Sequence, residues 1–127
     1  MAVFKDTDFL YKALGSFWQE LGKRDDFIEP LKKADLTIKF EVSDPPATIW
    51  VSPDGVKFGD QDLKPDITMT LSGDACHAFW TKKLSLPVAM ATRKIKAKGN
   101  IAKVMKLLPI VKPAFEYYPK HMEKFGL

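Results

Sequence analysis

The sequence predicts an α/β (α+β) domain in which helices cover one face of a mainly antiparallel sheet. Two observations favour this class: a helical period of apolar residues towards both ends of the chain, and alternation of apolar and polar residues between them. The chain has 127 residues, a length that fits one compact domain. A chain of this size buries roughly two thirds of its unfolded surface, so its core needs no disulfide or metal.

Two helices are expected in residues 1–34. The segment DTDFLYKALGSFWQELGKRDD begins with residues that favour helix capping and ends its helical pattern at Gly22. Its apolar face consists of Leu10, Leu14, Phe17 and Leu21. The segment DDFIEPLKKA predicts a second, shorter helix, in which Pro30 is tolerated because it lies near the first turn.

Strands are expected from residue 36 to residue 72. LTIKFEVSD and DITMTLSGD alternate apolar and polar residues, as half-buried strands do. ATIWVSPDGVKFGD predicts two short strands joined by a turn at Pro53, Asp54 and Gly55. Three or four consecutive strands should therefore form an antiparallel meander, whose apolar face needs a cover.

The second half of the chain is expected to supply that cover and one more strand. GDACHAFWTKKL predicts a helix capped by Asp74, SLPVAMA an apolar connector, and RKIKAKG the last strand. Asn100 can cap the next helix, whose apolar stripe should end at Pro109. Residues 109–127 are too apolar for a disordered linker, so they should pack back on the body or form a lid.

Charge is divided unevenly along the chain. Residues 1–66 hold 9 Lys/Arg and 13 Asp/Glu, whereas residues 67–127 hold 11 and 3, for a net charge of +4. The asymmetry suggests a surface that meets an anion: nucleic acid, lipid headgroups or an acidic partner. The alternative is ordinary solubility, if the two halves interleave in space.

The sequence favours a cytoplasmic location. One cysteine, Cys76, leaves no partner for an intramolecular disulfide, which agrees with a reducing compartment. The N-terminal residues lack the apolar region of a signal peptide. No apolar run approaches the ~20 residues that span a bilayer.

No residue pattern indicates an enzyme, a metal site or a cofactor. Cys76 and His77 are neighbours on a predicted helix, so their side chains point about 100° apart and do not form a dyad. His121 has no evident partner. The aspartates of residues 54–66 lack the ligand spacing of a calcium loop and are better explained as turn residues. These aspartates are Asp54, Asp60, Asp62 and Asp66.

Two kinds of binding remain open. The basic second half would suit a nucleic-acid or protein-interaction module, but the lysines of RKIKAKG alternate with Ile, Ala and Gly rather than with aromatics, so nucleic acid is not the expected partner. The same half concentrates methionine and aromatic residues, and methionine adapts to ligands of variable shape. That much apolar cover is enough to enclose a cavity of about 300–1,000 Å³.

The run PDITMTLSGDACHAFWTKKLSLPVAMATRKIKAKGNIAKVMKLL resembles the sterol carrier protein 2 family, a sterol-binding or lipid-transfer domain. The matching elements are a strand (66–72), an acidic-led helix (74–82), a proline-led apolar stretch (87–91), a lysine strand (94–100) and a helix (101–108). Arg93 stands where the family usually has glycine. The chain ends FGL rather than with an SKL-type peroxisomal address, which disfavours a peroxisomal location.

The resemblance implies a single five-stranded sheet with helices on one face and a hydrophobic tunnel between them. The implied function is to carry sterols, fatty acids or fatty acyl derivatives without chemistry. We expect one domain over residues 1–127, with N-terminal helices (1–34), sheet and helices (35–108) and a C-terminal tail or lid (109–127). The ligand and the oligomeric state are left open.

The candidate site residues follow from these elements. Predicted lipid-binding residues are Phe40, Trp50, Ile67, Met69, Phe79, Trp80, Leu86, Val88, Met90, Ile101, Val104, Met105, Leu108 and Phe115, with Tyr117 and Tyr118 helping to close one end. Predicted membrane-facing residues are Lys94, Lys96, Lys98, Lys103 and Lys106. Each such lysine is worth about 1 kcal/mol near an anionic bilayer.

Overall fold

The computed structural model describes residues 3–127, except for the side chains of Ile101, Val104, Leu107 and Leu108. Its helices are α1 (Thr7–Leu10), α2 (Ser16–Leu21), α3 (Asp25–Ala34), α4 (Gly73–Trp80), α5 (Leu86–Ala91), α6 (Ile101–Ile110) and α7 (Lys112–Glu123). A π-helical turn, Tyr11–Gly15, joins α1 to α2. The strands are β1 (Ile38–Ser43), β2 (Ala47–Ser52), β3 (Gly55–Phe58), β4 (Ile67–Ser72) and β5 (Ile95–Gly99).

The five strands form one mixed sheet in the order β3-β2-β1-β4-β5. β1, β2 and β3 make the antiparallel meander that the sequence predicts. β4 does not extend the meander, because it returns to the other side of β1 and pairs with it in parallel, with Ile67 opposite Ile38. β5 then pairs antiparallel with β4. The expectation of a five-stranded, mainly antiparallel sheet is confirmed, and of the three or four strands expected in the meander, three form it.

The two faces of the sheet differ in their surroundings. The covered face carries side chains that are at most 6% exposed on the two central strands: Ile38, Phe40, Val42, Ile67, Met69 and Leu71. The other face, named here the open face, carries Lys39 and Glu41, whose Nζ and Oε1 lie 2.9 Å apart. Lys96 and Lys98 of β5 lie on this open face too, because the side chains of a strand alternate.

Aromatic side chains join the helices to the covered face. The ring of Trp18 in α2 stacks on Phe40 of β1 with centroids 5.2 Å apart. Phe17, beside it, meets Tyr118 of α7 edge-on at 5.0 Å. Tyr118 is 0% exposed, so α7 belongs to the core and the apolar tail packs back on the body.

Two expectations about α4 and α5 are wrong. Ser72, not Asp74, caps α4, since its Oγ accepts the N–H of Ala75 at 3.1 Å. The Asp74 carboxylate instead accepts the N–H of Val3 at 2.8 Å. SLPVAMA is not a connector: it contains α5, with Pro87 in the first turn, where an N–H has no helical partner to lose.

Pro109 does not end α6. The helix continues to Ile110, and Val111 alone separates it from α7. A proline has a φ angle compatible with a helix and removes one hydrogen bond, which the last turn of α6 tolerates better than its middle would. Residues 101–123 therefore form two consecutive helices rather than a helix and an irregular tail.

Asp66 connects three parts of the chain just before β4. Its Oδ2 accepts the N–H of Thr37 at 2.9 Å, and its Oδ1 lies 3.0 Å from Nζ of Lys103. Both hydrogen bonds lower the pKa of Asp66, and the one from Thr37 has the larger effect. The backbone oxygen of Asp66 lies very close to Gly99: a Cβ atom added to this glycine would be 2.1 Å from that oxygen. Asp66 therefore has a structural role, as its interpretation as a turn residue suggests.

Candidate functional site

An open cleft of about 310 Å³ lies between the end of α4, the start of α5 and α7. Its apolar lining consists of Phe79, Leu84, Leu86, Pro87 and Phe115. We name it the apolar cleft. Phe79, Leu86 and Phe115 are three of the predicted lipid-binding residues, and the fold brings the distant Phe115 beside the other two.

A continuous layer of aromatic rings leads from the apolar cleft to the sheet. Phe115 packs against Trp80 with centroids 5.0 Å apart, and Trp80 meets Trp18 edge-on at 5.4 Å. Trp18 in turn stacks on Phe40 of β1. We name these four rings the aromatic layer. It includes Phe40, Trp80 and Phe115 from the sequence prediction and adds Trp18, which is not among the predicted lipid-binding residues.

One polar atom in the aromatic layer lacks a partner. Trp80 is 2% exposed, and its Nε1 makes no hydrogen bond within the described part of the chain. Cys76, one helical turn earlier, is near enough for the indole N–H to lower its thiol pKa slightly, but burial dominates and raises that pKa to about 12. The thiol is therefore unreactive at neutral pH. Sulfur is only a weak acceptor, so the buried indole N–H is poorly satisfied at this position.

The histidines take part in separate hydrogen bonds. His77 Nδ1 lies 2.8 Å from the hydroxyl of Tyr118. His121 is 4% exposed, with Nε2 2.8 Å from Oγ of Ser16 and Nδ1 3.2 Å from the hydroxyl of Tyr117. Burial is the main cause that lowers the pKa of each histidine. The partners of His121 could not be read from the sequence, because Ser16 lies at the opposite end of the chain.

Several other predicted lipid-binding residues lie away from the apolar cleft. Val88, Met90 and Met105 are exposed by 53%, 38% and 63%. Trp50 is 3% exposed on the open face, where its Nε1 donates to the carbonyl of Gly59 at 2.9 Å. Ile67 and Met69 lie on the covered face. The predictions for Ile101, Val104 and Leu108 fall outside the described side chains.

A second cleft, of about 630 Å³, opens where β4 meets α4 beside β5. Four cationic side chains line it: Lys83, Arg93, Lys94 and Lys96. We name it the cationic cleft. Leu84 borders both clefts. This site is not among those predicted from the sequence, although the basic pairs at residues 82–83 and 93–94, on either side of α5, are a signal that indicates it.

The predicted membrane-facing lysines divide into two groups. Lys94, Lys96, Lys98 and Lys106 are exposed. Lys103 is half-buried and forms an ion pair with Asp66. Trp50 lies on the open face of the sheet. Its indole ring is too buried to stack with a nucleobase.

Two kinds of feature are absent from the described residues: a metal-binding group and a membrane-spanning helix. These residues contain no group of three or more His, Cys, Asp or Glu side chains suited to hold a metal ion. None of the helices built from them is long and apolar enough to cross a membrane.

Comparison with known proteins identifies the family. The model of the SCP-2 sterol transfer family matches residues 19–112. Sterol carrier protein 2 of Yarrowia lipolytica is similar in structure, with a TM-score of 0.65 at 20% identity over 90% of this chain and 95% of that one. The sterol carrier protein domain 2 of Helicoverpa armigera gives 0.66 at 21% identity over 84% and 88%.

A third solved structure has the same fold. Sterol carrier protein 2-like 2 of Aedes aegypti gives a TM-score of 0.57 at 19% identity, over 80% of this chain and 94% of that one. A search of curated protein sequences found no match. Because the family model covers more than half of the chain, including the whole sheet and α3 to α6, the chain belongs to the SCP-2 sterol transfer family.

Proposed function

We propose that this protein is a lipid carrier that binds a sterol, fatty acid or fatty acyl derivative and does no chemistry on it. The observation that carries the proposal is the apolar cleft, where Phe79, Leu86 and Phe115 form a concave apolar surface open to solvent. Its volume of about 310 Å³ is close to the lower end of the 300–1,000 Å³ usual for ligand sites. Membership of the family supports the same function.

Binding would rest on burial of the ligand's apolar surface, which contributes roughly 25 cal/mol per Å². Because this contribution has no directional requirement, we expect affinity to depend on ligand size more than on the details of the chain. We propose that a ligand deeper than the cleft moves Phe115, which is only half-buried, and extends along the aromatic layer. The unpartnered Nε1 of Trp80 would then meet a polar atom of the ligand.

The exposed lysines would bring the carrier to its lipid source. Lys96 and Lys98 lie on the open face, and an anionic bilayer attracts such lysines. We propose transient contact with an anionic membrane through this face, in the cytoplasm. The ion pair of Lys103 with Asp66 removes that lysine from the contact.

The first test is native mass spectrometry of gently purified protein, followed by organic extraction of whatever is bound. A lipid at close to one molecule per chain is the expected result. Protein that is purified empty, and that also fails to take up a fluorescent fatty acid or sterol, would overturn the proposal.

A pair of variants locates the site. Phe115→Glu puts a charge into the apolar cleft and should lower lipid affinity about tenfold or more, since burying an unpaired carboxylate is costly. Phe125→Glu is the matched control: Phe125 is also half-buried and near the C-terminus, but it packs on Phe9 and His121. Equal losses in the two variants would show that the lipid does not occupy the apolar cleft.

A further inference from the structure

The cationic cleft carries charge that the protein does not neutralise. Of its lining residues, Asp74 alone is acidic, so four cations less one carboxylate leave the lining with a net charge of +3. Glu41, on the neighbouring strand, is paired with Lys39 at 2.9 Å. No carboxylate among the described residues lies within 4.0 Å of the side-chain nitrogens of the four cations in the cleft. Four like charges around one concave surface repel each other, so the cleft favours an anion.

The backbone holds one of these cations in an unfavourable conformation. Arg93 has a φ angle of 61°, in the left-handed region that glycine adopts at least cost. The adjoining Lys94 and, two residues further, Lys96 reach the same cleft. This conformation ends α5, because the N–H groups of Arg93 and Lys94 donate to the carbonyl oxygens of Met90 and Ala89. An arginine at this position, instead of the glycine that favours the conformation, adds a cation to the cleft.

The cleft also offers hydrogen-bond donors that suit oxyanions. Three residues that carry hydroxyl groups line it: Ser43, Thr70 and Ser72. The Oγ of Ser72 accepts the N–H of Ala75, which leaves its own proton free to donate. Cations and hydroxyls together match a phosphate, which has several oxygens and up to two charges, better than a single carboxylate.

The position of the cleft relates this anion to the lipid. Leu84 lines both the cationic cleft and the apolar cleft, so the two clefts adjoin at this residue. An amphipathic molecule can therefore place its chain in one cleft and its head in the other. We propose that the cationic cleft binds the phosphate head of an anionic lipid whose chain lies in the apolar cleft. This inference rests on the proposed function and names its ligand class.

The test compares two soluble amphiphiles that share one chain. Dodecyl phosphate and dodecanol, both below their aggregation limits, are titrated into the protein by calorimetry, with inorganic phosphate as a third ligand. We expect dodecyl phosphate to bind more tightly than dodecanol. Each of Lys96→Gln and Arg93→Gly should lower the affinity for dodecyl phosphate by about fivefold, as expected for the loss of one cation near an anionic group. The affinity for dodecanol should not change. Glycine suits the φ angle of Arg93, so this variant should fold.

Lys98→Gln is the control, because Lys98 lies on the same strand and face as Lys96 but does not line the cleft. An equal loss in Lys98→Gln and Lys96→Gln would overturn the inference, because the lysines would then act only through the general surface charge. Equal affinity for both amphiphiles in every variant would also overturn it while leaving the lipid carrier intact. Binding of inorganic phosphate as tight as that of dodecyl phosphate would show a phosphate site without a lipid. Failure of both amphiphiles to bind would instead refute the proposed function.

Discussion

The Nε2 atom of His121 lies 2.8 Å from Oγ of Ser16 and so ties α7 to α2. The imidazole is buried between these helices, and burial, reinforced by Lys124, lowers its pKa despite the opposing effects of the Ala13 backbone and Glu20. A histidine with a lowered pKa binds a proton more readily in the unfolded chain. Stability is therefore greatest above the unfolded pKa of about 6.5 and falls as pH decreases through the folded pKa.

We predict that the free energy of unfolding decreases between about pH 7.5 and pH 5, and that His121→Gln makes this dependence shallower. Denaturant unfolding at a series of pH values measures it. Part of the slope should remain in the variant, because the pKa of His77 is also lowered by burial, beside Lys83 and Asp74. If His121→Gln keeps the full slope of the unchanged protein, the buried link to Ser16 does not control the pH dependence.

Arg93→Gly should stabilise the fold. The left-handed φ of 61° disfavours a residue with a Cβ, so glycine should raise the free energy of unfolding by about 1 kcal/mol, even after its own entropy cost. Chemical denaturation measures the change. Lys96→Gly, in the regular part of β5, is the control and should destabilise. A destabilised Arg93→Gly would mean that contacts of the arginine outweigh the strain.

Gly99→Ala should destabilise far more than Gly59→Ala. Both glycines have positive φ angles, of 122° and 77°, but a Cβ at Gly99 would lie 2.1 Å from the backbone oxygen of Asp66, whereas one at Gly59 meets nothing within 4 Å. We expect a cost above about 1 kcal/mol at Gly99, where strain and collision combine. Thermal unfolding of the two variants decides the matter, and similar melting temperatures would contradict the close approach of β5 to Asp66.

Vesicle binding should weaken with salt and depend on the exposed lysines. Lys98→Gln should lower the affinity for vesicles that contain phosphatidylserine, because each lysine near the surface contributes about 1 kcal/mol. Lys103→Gln should change it much less, since Lys103 is already paired with Asp66. Co-sedimentation at low and high salt measures both effects. Salt-insensitive binding, or equal losses in the two variants, would exclude docking through the open face.

The sequence predicted the strands well because alternation is a local property. The apolar residues of LTIKFEVSD and DITMTLSGD indeed lie on one face. Which strands pair is not local: nothing within DITMTLSGD distinguishes a fourth meander strand from a parallel partner of β1. Short segments with proline were also misjudged, since the six residues of α5 and the last turn of α6 depend on tertiary packing more than on propensity.

The candidate site was only partly predictable. Phe79 and Trp80 are adjacent and equally apolar, yet Phe79 lines the apolar cleft and Trp80 lies behind it. Core and binding surface use the same residue types, so composition cannot separate them. Leu84 and Lys83 acquire their roles from the loop between α4 and α5, where the N–H groups of both residues donate to the carbonyl oxygen of Ala78.

The parallel pairing of β1 with β4 has a consequence for how the chain folds as it is made. β1 can pair with β2 as soon as residue 52 is available, but its second edge stays open until residue 67 and its successors have been synthesised. An incomplete nascent chain thus presents an unpaired edge of alternating apolar residues in the middle of the future sheet. Such edges join readily to other chains. We therefore expect fragments that end before Ile67 to aggregate more readily than the full chain.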